Sequence, residues 1–196
     1  ELRAPEGDPS LSHCDNGDFE SGTNSNWTGT RGTNVNGVYT ITQTGITDFT
    51  TSGLHRIHSS GNWTDPLLNI PINAPVGTYF ARVGSLFTVG TSVGGSLRYC
   101  LTVTPANAQN RFWYFMVMED GISDHDRNEN PFFQYRILNS SGVPIDTRQP
   151  IIANLSNPFF SKGSGSIVYK DWTCESLDLS NYIGQNICIE FIAVSC

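Results

Sequence analysis

The chain is short of charge. Asp, Glu, Lys and Arg make up only 15% of its 196 residues, against about 25% in a typical soluble domain. Its solvated surface must therefore be built from Ser, Thr, Asn and Gly, a composition that suits a turn-rich β-protein and not a helical enzyme. Basic residues are the scarcest, with 11 Lys and Arg against 18 Asp and Glu and a formal charge of −7. That deficit disfavours nucleic acid and anionic membrane surfaces as partners, since either needs a basic face. It suits divalent cations or neutral sugars. No run of about 18 apolar residues occurs, so no segment reads as a membrane-spanning helix. The opening ELRAPEGDPS lacks the basic and apolar blocks of a signal peptide and reads as a processed or trimmed start. There is no G-x-S-x-G, no H-E-x-x-H and no cysteine with a local histidine partner, so no catalytic set emerges. The five cysteines, Cys14, Cys100, Cys174, Cys188 and Cys196, show no CxxC pair or other zinc spacing. Disulfides formed in an oxidising compartment are the better reading, and the odd number leaves one thiol over.

What is present is apolar and strongly patterned. Hydrophobic residues reach 38% and aromatics 11%, and the length suits a single core. Segments with strand character are Val38–Gln43, Leu67–Ile72, Tyr79–Gly84, Leu97–Thr104, Phe112–Glu119, Phe132–Asn139, Ser166–Lys170 and Asn186–Ser195. Gaps such as NVNG, SVGG, NSSG and SKGSGS separate them. This spacing predicts an all-β, antiparallel, two-sheet sandwich. In LRYCLTVT, Leu97, Tyr99, Leu101 and Val103 share a dry side, while Arg98, Cys100, Thr102 and Thr104 share a wet one. FWYFMVME is apolar on both sides, which places it mid-sheet with both faces covered. Leu179–Ile183 reads as a single helical turn. NICIEFIAVSC reads as a long strand without a turn after it, so it is either an exposed edge or is paired by something else. Residues 1–13, with Pro5 and Pro9, read as an extended arm ahead of a domain spanning 14–196. The arm could donate a strand, although its prolines limit ladder pairing.

Three stretches carry possible chemistry. In CDNGDFESGTNSNW, Asp18 and Glu20 are two apart, which on a strand puts them on one side with Phe19 pointing into the sandwich. They are either solvated acids on an edge strand or ligands of a cation, since like charges so close repel unless something lies between them. DGISDHDRNEN packs four acids and His125 into one loop but misplaces the glycine and terminal glutamate of an EF-hand. It reads as a solvated connection or a second cation site. Trp63, in SSGNWTDP, sits among turn residues and is the best candidate for stacking on a sugar, with Asp65 beside it. Trp27, Trp113 and Trp172 read as core.

Several blocks resemble a known family. They are CDNGDFESG with Trp27 following, ARVGS (Ala81–Ser85), LTVTPANAQNRFWYFMVMEDG (Leu101–Gly121), His125 ahead of NPFFQYRILNSSG (Asn130–Gly142), and YKDWTCESLDLSNYIGQNICIEFIAVSC (Tyr169–Cys196). In this order they are similar to the extracellular jelly-roll domains of Bacteroidota surface adhesins and type IX-secreted, gliding-associated proteins, relatives of calcium-binding carbohydrate-binding modules. The resemblance implies a jelly roll and a structural Ca2+ held by Asp18 and Glu20. Family members continue past the terminal Cys with a turn and a closing strand that ends near an Asp. By this resemblance the jelly roll is expected to lack that last strand within this chain, and Asp15, Asp65 and Asp178 are the candidates to replace the late ligand. The family's frequent cysteine after Ile145 is Asp146 here, so no disulfide pairing carries over. The implied function is a non-catalytic extracellular, cell-surface adhesion or filament-building module, completed by a strand from a neighbouring copy or another surface protein. The alternative is a calcium-dependent module that binds glycans.

Overall fold

The computed structural model describes residues 17–49, 53–85, 92–121 and 129–195. The arm of residues 1–13, Cys14, Asp15, Cys196 and most of the acidic loop lie outside the described residues. In chain order the strands are β1 (Trp27–Val35), β2 (Val38–Ile46), β3 (His55–Ser59), β4 (Thr64–Asp65), β5 (Ile70–Pro71), β6 (Tyr79–Val83) and β7 (Val93–Thr102). They continue with β8 (Gln109–Glu119), β9 (Phe132–Asn139), β10 (Pro144–Thr147), β11 (Ile151–Ile152), β12 (Ser161–Lys162), β13 (Ile167–Asp178) and β14 (Asn186–Val194). A 3-10 turn at Ser180–Tyr182 is the single turn expected there. Pairing is antiparallel throughout the described residues, and the sheets pack as a sandwich. The larger sheet runs β10-β9-β14-β7-β1-β2 with β11 also on β9. The smaller runs β12-β13-β8, and β3 pairs with β6 and β4 with β5.

Local chemistry explains much of this. The β1–β2 hairpin turns on Asn36 and Gly37, both at positive φ (52° and 81°), the two-residue turn whose twist matches its strands. β7 keeps the predicted alternation: Leu97, Tyr99 and Val103 are buried, whereas Cys100, Thr102 and Thr104 are exposed. β1 was not legible as a strand, because WTGTRGTNV offers little apolar alternation. Its glycines instead admit two rings from elsewhere. A Cβ on Gly29 would stand 2.8 Å from the His55 imidazole, and one on Gly32 2.6 Å from the Tyr39 ring.

At the sheet edges one open alternative is resolved and one expectation is corrected. Of the two readings of the last strand the paired one holds, because β14 lies between β7 and β9 and pairs with both along its length. β8 is not mid-sheet, because among the described residues it pairs only with β13 and ends its sheet. Its two apolar faces have separate causes. Phe112, Tyr114 and Met116 face the core, while Phe115 on the other side meets Trp172 and Tyr169. Side-chain hydrophobicity reports what lies above and below a strand, and says nothing of whether another strand lies beside it. Trp113 is likewise corrected from core to surface, at 40% exposure.

The interior is divided. A large cluster joins Met116, Val168, Leu177, Phe133, Ile137 and Ile187, among others. A smaller one comprises Trp27, Phe49, Leu97 and Tyr99, with Ile57, Ala81 and Val83 of β3 and β6 packed on it. Leu101 and Phe191 touch both clusters.

Candidate functional site

Between the two clusters lies a cavity of about 570 Å³. Its floor includes Leu97, Tyr99, Ile189 and Phe191 on the inner face of the larger sheet. One wall is β8, of which every residue from Asn110 to Glu119 takes part, and another is the run Tyr79–Ser85 that contains β6. A strand that showed the cavity one face would contribute alternate residues. Contributing all of them means that β8 and β6 present their edges. Neither strand has a second partner among the described residues, so the cavity is a groove bordered by two unpaired strand edges and floored by the core.

Aromatic rings cover the outer side. The Trp63 indole stacks on His58 at 4.5 Å and lies 6.1 Å from Phe80. Phe80 meets the edge of Trp172 at 6.0 Å, and Trp172 meets Phe115 at 5.7 Å. This chain spans the groove from the β3–β6 pair to β8 and β13. Arg82 of β6 also lines it. Its guanidinium donates to the main-chain oxygens of Gly84 and, at 3.0 Å, Gly53, while its buried Nε has no partner among the described residues. Burial, reinforced by the Arg56 charge, lowers the Arg82 pKa to about 10. Burial, then the Arg82 and Arg56 charges, lower His58 to about 4. That ring is neutral at pH 7.

Asp18 and Glu20 reach the rim of the groove, but not from a strand. Residues 17–26 form turns, because Asp18 Oδ1 accepts from the Glu20 N–H at 3.1 Å and holds Phe19 at a positive φ of 64°. Phe19 does point inward, stacked on Trp27 at 4.5 Å. Glu20 Oε1 accepts from the main-chain N–H groups of Thr78 and Tyr79 at 2.7 and 3.0 Å, which pins this turn to the start of β6. Asp65 lines the groove beside Trp63. Its Oδ1 accepts from the N–H groups of Leu67 and Leu68, both at 2.9 Å, so it also organises a turn. Asp178 is exposed and is not among the lining residues. It accepts from Ser180 N–H at 2.9 Å and Gln109 Nε2 at 2.7 Å, and the Ser180 hydrogen bonds lower its pKa. Among the described residues no three of His, Cys, Asp and Glu come together.

Of the cysteines, Cys100 and Cys188 form a disulfide between directly opposed residues of β7 and β14. Cys174 on β13 is an exposed free thiol. Sequence reading missed a polar network on the outer face of the larger sheet. There the fully buried Glu190 carboxylate accepts from Ser96 Oγ at 2.7 Å, Arg98 Nη2 at 3.0 Å and Arg136 Nε at 2.6 Å. The alternating polar positions Ser96, Arg98 and Glu190 were its only signal. Comparison with protein-family models, curated proteins and solved structures finds no match. Among the described residues no helix is long and apolar enough to cross a membrane.

Proposed function

We propose that this chain is a non-catalytic extracellular module for cell-surface adhesion or filament building, and that its groove takes an extended strand from a neighbouring subunit. One observation carries the reading: among the described residues β6 and β8 are unpaired edges on the same core-deep cavity. Unpaired N–H and C=O groups beside apolar surface are a template for strand addition. An added strand would pair with the backbone, set alternate side chains on Leu97 and Tyr99, and set the others under the Phe80–Trp172 layer. Each donated strand links one copy to the next, so repetition gives a polymer.

The test is assembly of the purified chain, followed by light scattering and electron microscopy, with hydrogen exchange read along β8. Oligomers should form, with the β8 amides protected only in the assembled fraction, and Ala81→Trp in the groove wall should leave monomers. A monomer whose β8 amides are already protected would mean that the strand belongs to the same polypeptide, which would end the filament reading. Trp63 favours a second reading, because its half-buried ring lines the groove, stacked on a neutral imidazole. A module for neutral glycans predicts calcium-dependent retention on a glycan array that Trp63→Ala abolishes.

A further inference from the structure

Among the described residues, two buried oxygens beyond the end of β8 have no donor. Asp120, which directly follows β8, is 3% exposed, and Asn130 is 6% exposed. Asp120 donates its main-chain N–H to Ser166 O at 2.8 Å and accepts the Leu155 N–H on Oδ2. Its Oδ1 has no partner. Asn130 donates through Nδ2 to Ala153 O at 3.3 Å, which fixes the amide orientation and leaves Oδ1 as a second unpartnered acceptor. Both side chains thus anchor on the strip from Ala153 to Leu155 and each keeps one oxygen in reserve. A buried acceptor left without a donor is destabilising, because it has lost its hydration and gained nothing in return. Acceptors without donors select a cation. Oxygen donors without imidazole or thiolate select a hard one, which readily mixes carboxylate, amide, main-chain carbonyl and water ligands.

We propose that Asp120 Oδ1 and Asn130 Oδ1 bind a calcium ion that ties the end of β8 to the strip from Ala153 to Leu155. The site is separate from Asp18 and Glu20 and does not depend on the groove's occupant. Native mass spectrometry of the full chain, stripped with EDTA and then given CaCl2, counts the ions. Asp120→Asn keeps an acceptor for the Leu155 N–H, so a purely structural role for Asp120 survives it. Asn130→Ala is the second variant, should the first fail to fold. Each folded variant should carry one Ca2+ fewer than the wild type, or bind it at least tenfold more weakly, whatever Asp18→Asn/Glu20→Gln does. Calcium should also raise the wild-type Tm, and that rise should shrink in both variants. A wild type that takes up no calcium, or folded variants with an unchanged ion count and affinity, would overturn the proposal.

Discussion

Glu20 spends one carboxylate oxygen on two main-chain donors at the start of β6, and Gly77 makes room for it. A Cβ on Gly77 would stand 2.3 Å from that oxygen, at a φ of +77°. Glu20→Ala and Gly77→Ala should therefore each cost about 1–3 kcal/mol, measured by urea unfolding, and a loss under about 0.3 kcal/mol in both would dismiss the pin. The histidines set a pH dependence. His58 has a folded pKa of about 4 against an ordinary 6.5, and burial also lowers His55, whose Nε2 donates to Ser96 O at 2.9 Å. The unfolded chain therefore binds these protons first, and stability is full above about pH 6.5 and declines as pH falls toward 4. Urea midpoints from pH 7.5 to 4 should show that decline, and His58→Phe, which keeps a ring against Trp63, should flatten it. At this scale the sequence identified Phe19, Trp63 and Asp65 as notable but misjudged how Asp18 and Glu20 are held. A two-residue alternation reads as a strand unless the Asx bond that curls it is known.

Elements were legible where side chains alternate and illegible where backbone or glycine decides. β2, β6, β7, β9 and β14 fall close to their expected positions. Leu67–Ile72 shrinks to the two residues of β5, since Asp65 folds Leu67 and Leu68 into a turn. The Cys100–Cys188 link joins β7 to β14 across 88 residues of sequence. Its reduction should lower stability by about 2–4 kcal/mol. Thermal unfolding with and without a thiol reductant measures this, and an unchanged Tm would show that the strand pairing carries the joint alone.

Across the whole molecule, stability should be uneven. The cluster between β8 and β13 on one side and β9 and β14 on the other is much larger than the one that supports β3 and β6, and local opening follows buried contact. Native-state hydrogen exchange should therefore be at least tenfold slower for the central amides of β9 and β14 than for those of β3 and β6. Equal protection would mean that the groove does not separate the two regions. Occupation of the groove should narrow the difference by joining the clusters.

The sequence alone determined that this is an all-β, antiparallel sandwich with an acidic, turn-rich surface, because period-two alternation and turn residues are local properties that neighbouring side chains report. Only the tertiary structure decided which strands end a sheet, that β6 and β8 leave a groove, and that Asp120 and Asn130 keep bare oxygens. Those features depend on backbone pairing and on contacts between distant residues, and neither leaves a mark on the local order of amino acids.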